Sequence, residues 1–535
     1  MNKATFLALA MLAGASSLCA TEVSKVFASK MVLQRGRPVE VWGRAESGEE
    51  VTVSFAGQRV TAKADAAGDW SATLKPMEAS AEGRDLVVVG ATSNVFHDVL
   101  VGDVWICSGQ SNMEMSFGWG VYGGGTFKDE SVNFPTIRRM KVPHVTRLSP
   151  EPYEVSVAAS WDVASNVFQQ VTAAGYFFAR KITQETGVPI GLLDASWSGC
   201  KIEPFITEEA FKASPELKPY ADSLALTDPS TPAGKANLEE VLAKTRAWLE
   251  GAEATVAAGR RPVRQPPQIP VALVGATGQF NAMISPITRF AIKGVIWYQG
   301  CSNGGEGDEY ADKMEALVGG WRKAWGYDFP FYWVQLASYT AATDNPEGGN
   351  GYARVRDAQR KALRIPKTGM AVAIDVGNPG DIHPKAKLFV GERLALWALA
   401  KDYGKNIVCS GPLVREAVAE QPGRVRLTFD YTGSGLMAGK KDWKNNDPVT
   451  EDVEAAGKLK GFALKGADGK WAWADAVIEG EDVVVSSPAI ADPVVVRYAF
   501  RANPLGKCSL YNKEGLPASP FSVDVVKPAP AEPAQ

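Results

Sequence analysis

Ser111 sits in the string Gly109-Gln110-Ser111-Asn112-Met113, directly after the apolar run Val104-Trp105-Ile106-Cys107. A glycine two places before a serine, at a strand-to-helix turn, lets the backbone bend sharply and present the hydroxyl as a nucleophile. Helix N–H groups just beyond it face a developing oxyanion. The string is not the G-x-S-x-G elbow, because Met113 holds the place of the second glycine. A serine nucleophile needs a base that titrates near neutrality, which histidine supplies. The chain contains three histidines, and two of them are poorly placed: His97 lies in a β-rich N-terminal stretch and His144 in an irregular one. His383, in Asp381-Ile382-His383-Pro384, follows a predicted strand ending at Asp375 and has the Asp381 carboxylate at hand to orient it. Serine, histidine and aspartate in these settings point to acyl transfer.

Two further groups follow predicted strands. Ser196-Trp197-Ser198-Gly199-Cys200 comes after a strand ending at Asp194, and Trp297-Tyr298-Gln299-Gly300-Cys301-Ser302-Asn303 after one running through Val295. The Gly199 N–H can approach a substrate closely, and a side-chain amide from Gln299 or Asn303 can donate to an oxyanion. Gln110, Asn112 and Asn303 are candidate substrate contacts. Each group alone also has a plainer reading: an N-cap serine, a turn, a capping amide, a helix-capping histidine. Cys107 falls within a strand with no histidine placed to activate it, which argues against a cysteine nucleophile.

Positioning these residues requires a scaffold. Between residues 101 and 404, predicted strands alternate with helices at 173–186, 310–325, 353–363 and 384–401. That pattern implies a parallel sheet with helices on both faces and ligands beyond the carboxyl ends of its strands. The first of those helices stops at Gly187 with Pro189 beyond, a normal helix ending. Residues 207–270 read as a helical insertion. Short β-branched segments punctuated by glycine predict β-sandwich domains at 21–100 and 405–526, with a low-complexity tail at 527–535.

The chain has 535 residues, 45% hydrophobic and 22% charged, with a formal net charge of −3. That length asks for more than one core, and the charge argues against nucleic-acid or anionic-membrane partners. Lys3, the apolar run from Phe6 and the small residues up to Ala20 predict a signal peptide over 1–20, hence a secreted or periplasmic protein with no membrane span. The bulky Leu18 before Cys19 argues against lipidation. Six cysteines fall to five once Cys19 is removed, so at least one is unpaired within the chain. Three histidines and no CxxC predict no metal, and no cofactor is called for. Oligomeric state is not legible.

The Gly-Gln-Ser-Asn-Met, Trp-Tyr-Gln-Gly and Asp-Ile-His-Pro strings, in this order, resemble the SGNH hydrolases in their carbohydrate-esterase form, specifically the sialate O-acetylesterase family. Met31-Val32-Leu33-Gln34-Arg35, Val101-Gly102-Asp103-Val104-Trp105 and Gly515-Leu516-Pro517-Ala518-Ser519-Pro520-Phe521 extend the resemblance over nearly the whole mature chain. It implies an SGNH, flavodoxin-like fold. It further implies a Ser111 nucleophile, a His383 base, an oxyanion hole from the Ser111 and Gly199 amides with Gln299, and an acetyl-serine intermediate. The expected substrate is acetylated carbohydrate, sialic acid O-acetylated at position 9 first, with acetylated xylan or another polysaccharide as the alternative. A non-catalytic carbohydrate-binding protein on an esterase scaffold is the rival of a different class. Two departures stand out. Gly380 occupies the position three before the histidine where many SGNH enzymes carry aspartate, so either Asp381 orients His383 or a Ser–His dyad operates. Cys301 and Cys200 replace the glutamate and threonine common in related sequences, and the expectation is that they contact or bridge each other.

Overall fold

The computed structural model describes residues 20–150, 160–262, 264–268 and 271–527. The expected signal peptide, apart from Ala20, and the tail beyond Lys527 lie outside the described residues.

The molecule is organised by an eleven-stranded mixed sheet. Its central strands are Ile137–Lys141, Ile190–Ser196, Ser93–Gly109, Gly294–Tyr298, Phe331–Gln335 and Thr368–Val372, in that spatial order and all parallel. Trp161–Val163 adds an antiparallel edge. The chain winds to one side of Ser93–Gly109, returns, and then jumps to its other side. The carboxyl end of that strand is therefore a topological switch point, the place where open α/β sheets take their ligands. Alternation along the strands puts Trp105 and Tyr332 on one face and Trp297 and Trp333 on the other. Trp105 meets Phe178 of the helix Ala173–Thr186, and Tyr332 meets Trp397 of the helix Lys387–Asp402. Trp297 meets Trp321 of the helix Glu309–Trp325. Both faces are covered, as the strand–helix alternation predicts.

The 93–109 strand runs through the expected domain boundary at 100–101. Its first half pairs antiparallel with Ser80–Val89 and its second half joins the parallel sheet, so the N-terminal β region and the α/β region share one strand and one hydrophobic core. The N-terminal strands are held by local chemistry. Glu50–Phe55 and Gln58–Lys63 join through Ala56-Gly57, both at positive φ (48° and 77°), the two-residue turn that matches strand twist. The expected insertion is helical, with Glu208–Ala213, Lys218–Ala225 and Pro232–Ala257. Among the described residues no helix is long and apolar enough to cross a membrane.

The C-terminal strands enclose a separate core that includes Leu427, Phe462, Val485 and Phe521. One buried side chain ties this region to the site domain. Arg356 donates to the carbonyls of Leu336 (2.7 Å) and Ala337 (2.6 Å) on one side, and of Arg501 (2.7 Å) and Ala502 (2.8 Å) on the other. Burial pushes its pKa down to about 10, which still leaves it charged at neutral pH. Arg356→Met orphans four buried carbonyls, so urea unfolding should show a loss of about 3 kcal/mol or more. Wild-type stability in this variant would mean that the guanidinium does not hold the two regions together.

Candidate active site

The parallel register sets three strand ends level: Ser196 lies beside Gly109, and Gly109 beside Tyr298. The chain then turns at Gly109, with φ 123°. A Cβ there would lie 2.4 Å from the Tyr298 carbonyl oxygen, so only glycine fits both the angle and the space. Ser111 opens the single-turn helix Ser111–Glu114 and is 7% exposed.

His383 comes from the loop between Thr368–Val372 and the helix Lys387–Asp402, which starts three residues later than predicted. The two loops are joined next to Ser111 and His383. Asn112 Nδ2 donates to the Ile382 carbonyl at 2.9 Å, and Asn112 Oδ1 accepts from Lys387 Nζ at 2.6 Å. Asp381 accepts from the His383 backbone N–H at 2.9 Å, and its Oδ1 lies 3.6 Å from His383 Nδ1. That second separation is an ion-pair distance, too long for a hydrogen bond. The Trp119 ring meets the imidazole edge-on at 5.4 Å. Burial, followed by the nearby Lys387 charge, holds the His383 pKa below the ordinary histidine range, while Asp381 acts in the opposite sense.

Gly199 lies at φ 77° with open space where a Cβ would be. Its loop is pinned by Glu114, whose carboxylate accepts from the Ser198 backbone N–H at 2.7 Å and the Ser198 hydroxyl at 2.6 Å. Glu114 also meets Lys141 Nζ at 3.2 Å and His144 Nε2 at 3.0 Å, and His144 stacks on Trp197 with 4.7 Å between centroids. Burial opposes the Glu114 charge, but Lys141, the Ser198 bonds and His144 outweigh it and keep the carboxyl below its usual range. Among the described residues, no backbone carbonyl accepts a hydrogen bond from the backbone N–H of Ser111 or Gly199.

The expected polar contacts behave differently. Gln299 is fully buried; Nε2 donates to the Cys200 carbonyl (3.1 Å) and Asn303 Oδ1 (2.7 Å), while Oε1 accepts from the Tyr310 hydroxyl (2.7 Å). Both its amide hydrogens are spent on the protein, so its geometry is that of a brace under the Gly199-Cys200 turn. Asn303, equally buried, donates to Glu203 and Glu306 beside the buried Lys313. Gln110 Oε1 accepts from the Gly300 N–H at 3.0 Å. Gln110, Asn112 and Asn303, expected as substrate contacts, thus link loops to one another. The bridge expected as one form of the Cys200–Cys301 contact is absent: both are free thiols. Cys200 Sγ accepts from Gln279 at 3.3 Å, and Cys301 lies against Tyr352.

Comparison with known proteins shows what the chain as a whole resembles. Residues 274–400 match the family profile described as carbohydrate esterase, sialic acid-specific acetylesterase. The crystal structure of a carbohydrate acetylesterase from Xanthomonas citri superposes with a TM-score of 0.75 at 33% identity, covering 94% of this chain and all of that one. The chain belongs to the carbohydrate acetylesterases. It is accordingly a carboxylic ester hydrolase. Sialate O-acetylesterase from mouse is 28% identical over 92% of this chain and 93% of its own length, and the human protein 29% over 77% of each. Within this family member, sequence reasoning found the serine and histidine strings but missed Glu114, Lys141 and His144 as supports for the Gly199 loop. Glu114 stands three residues after Ser111, one helical turn away, which was the only local sign of its involvement.

Proposed function

We propose that this enzyme removes O-acetyl groups from carbohydrate, with O-acetylated sialic acid as substrate, through an acetyl-Ser111 intermediate. Ser111 Oγ attacks the acetyl carbonyl and passes its proton to His383. The oxyanion that forms lies against the backbone N–H groups of Ser111 and Gly199, each such donor typically contributing ~3 kcal/mol. Collapse breaks the ester bond, and the departing sugar oxygen takes the proton from His383. Water then attacks the acetyl-serine by the same route, releasing acetate and restoring the serine. Asp381 holds the histidine loop through its bond to the His383 N–H and places its charge beside Nδ1. Gln299 acts indirectly, by fixing the Cys200 carbonyl and so the Gly199 turn.

The observation that carries this reading is the bond from Asn112 to the Ile382 carbonyl. It seats the histidine loop on the nucleophile turn, at the sheet edge where Gly199 also lies. The substrate is supported by the family match and by the names of the relatives. Acetate release from a 9-O-acetylated sialoside and from acetylated xylan, measured side by side, tests it. The sialoside should give the higher kcat/KM. A preference for xylan overturns the sialate assignment, and no acetate from either overturns the carbohydrate one.

A further inference from the structure

Lys387 is fully buried, and among the described residues no carboxylate lies within ion-pair distance of it. Among the described residues its ammonium has one hydrogen-bond acceptor, Asn112 Oδ1 at 2.6 Å, and it lies 5.2 Å from the Tyr298 ring centroid. A buried cation whose hydrogen-bond acceptor is a neutral amide costs several kcal/mol, and an apolar side chain of the same length would serve packing better. The amide that receives it is the one whose Nδ2 donates to the Ile382 carbonyl, next to His383. Lys387, Asn112 and Ile382 therefore form one continuous chain of bonds from the helix to the nucleophile turn and back to the histidine loop.

We propose that Lys387 is a positioning residue for hydrolysis, whose ammonium, acting through Asn112, holds the histidine loop against the nucleophile turn. The proposal rests on the reading of Ser111 and His383 given above. A second consequence follows from its charge. The ionisable groups facing His383 are Lys387 from the helix and Asp381 from its own loop. Those facing Lys387 are Asp381 and, from the loop after Gly294–Tyr298, Cys301, which in turn faces Tyr352 and Arg356. A cation near the imidazole disfavours its protonated form and so keeps more of the base neutral in mild acid. Burial pushes Lys387 itself down to about 7. It is therefore charged through the acid limb, where this effect matters.

The test compares full-length wild type, Lys387→Met, Cys301→Glu and Ser111→Ala, using 4-nitrophenyl acetate across pH, with thermal unfolding as the check on folding. Lys387→Met removes the charge at similar length. The melting temperature should hold or rise, kcat should fall about 10- to 100-fold with little change in KM, and the acid limb should move to higher pH by about half a pH unit or more. Cys301→Glu sets a carboxylate beside Lys387 and should move the limb the same way. It reads the charge effect even where the methionine variant fails to fold. A folded methionine variant with wild-type kcat overturns the proposal, as does an acid limb unmoved in whichever variants fold. Activity retained by Ser111→Ala overturns the underlying site instead, which keeps the two failures distinct.

Discussion

Replacing Ser111 with alanine is expected to lower kcat for 4-nitrophenyl acetate by about 10⁵-fold or more, leaving turnover close to background. The proposed reaction forms its covalent bond at Ser111 Oγ, and no other described hydroxyl stands at the tip of the Gly109 turn. The backbone amides that would receive the oxyanion survive the substitution, so substrate binding should change little. The fold should also survive, because one small side chain loses one atom and unfolding should shift by no more than about 0.5 kcal/mol. Steady-state kinetics alongside thermal unfolding check both. Substantial remaining activity would move the nucleophile elsewhere.

His383→Ala is expected to lower kcat by about 10⁴-fold or more and to remove the acid limb of the pH profile. The sign follows from the geometry. The base works only when neutral, so kcat/KM rises as pH climbs through the His383 pKa. Burial and the Lys387 charge depress that pKa, so the wild-type limb should lie below pH 6.5, the ordinary histidine value. A limb well above that value would mean that Asp381 outweighs both. An alanine variant with an unchanged limb would mean that another group supplies the base.

Much of this was legible in the amino-acid order. Ala173–Thr186 matches its predicted bounds because apolar periodicity and a glycine stop coincide there, with Gly187 in the left-handed region at φ 71°. The 93–109 strand was harder. Residues 93–98 alternate between exposed and half-buried, and 99–109 are all buried. That change of pattern reads as a domain boundary, yet it records only a change in what covers the strand while the hydrogen-bonded ladder continues. Lys387, four residues after His383, looks like an ordinary cation at the start of a helix, and nothing local tells that the fold closes over it.

From its own residues, this chain determines the local chemistry: a serine at a glycine-bent turn, a histidine after a strand with an aspartate beside it, and alternating strands and helices. These are readable because glycine sterics, side-chain pKa and hydrophobic period belong to neighbouring residues. Tertiary structure decided which side-chain amides are spent as braces between loops. Lys387 meets Asn112 across 275 positions, Asn303 meets Glu203 across 100 and Gln299 meets Cys200 across 99. A buried polar group takes whichever partner folding brings within reach, and sequence spacing carries no record of that choice.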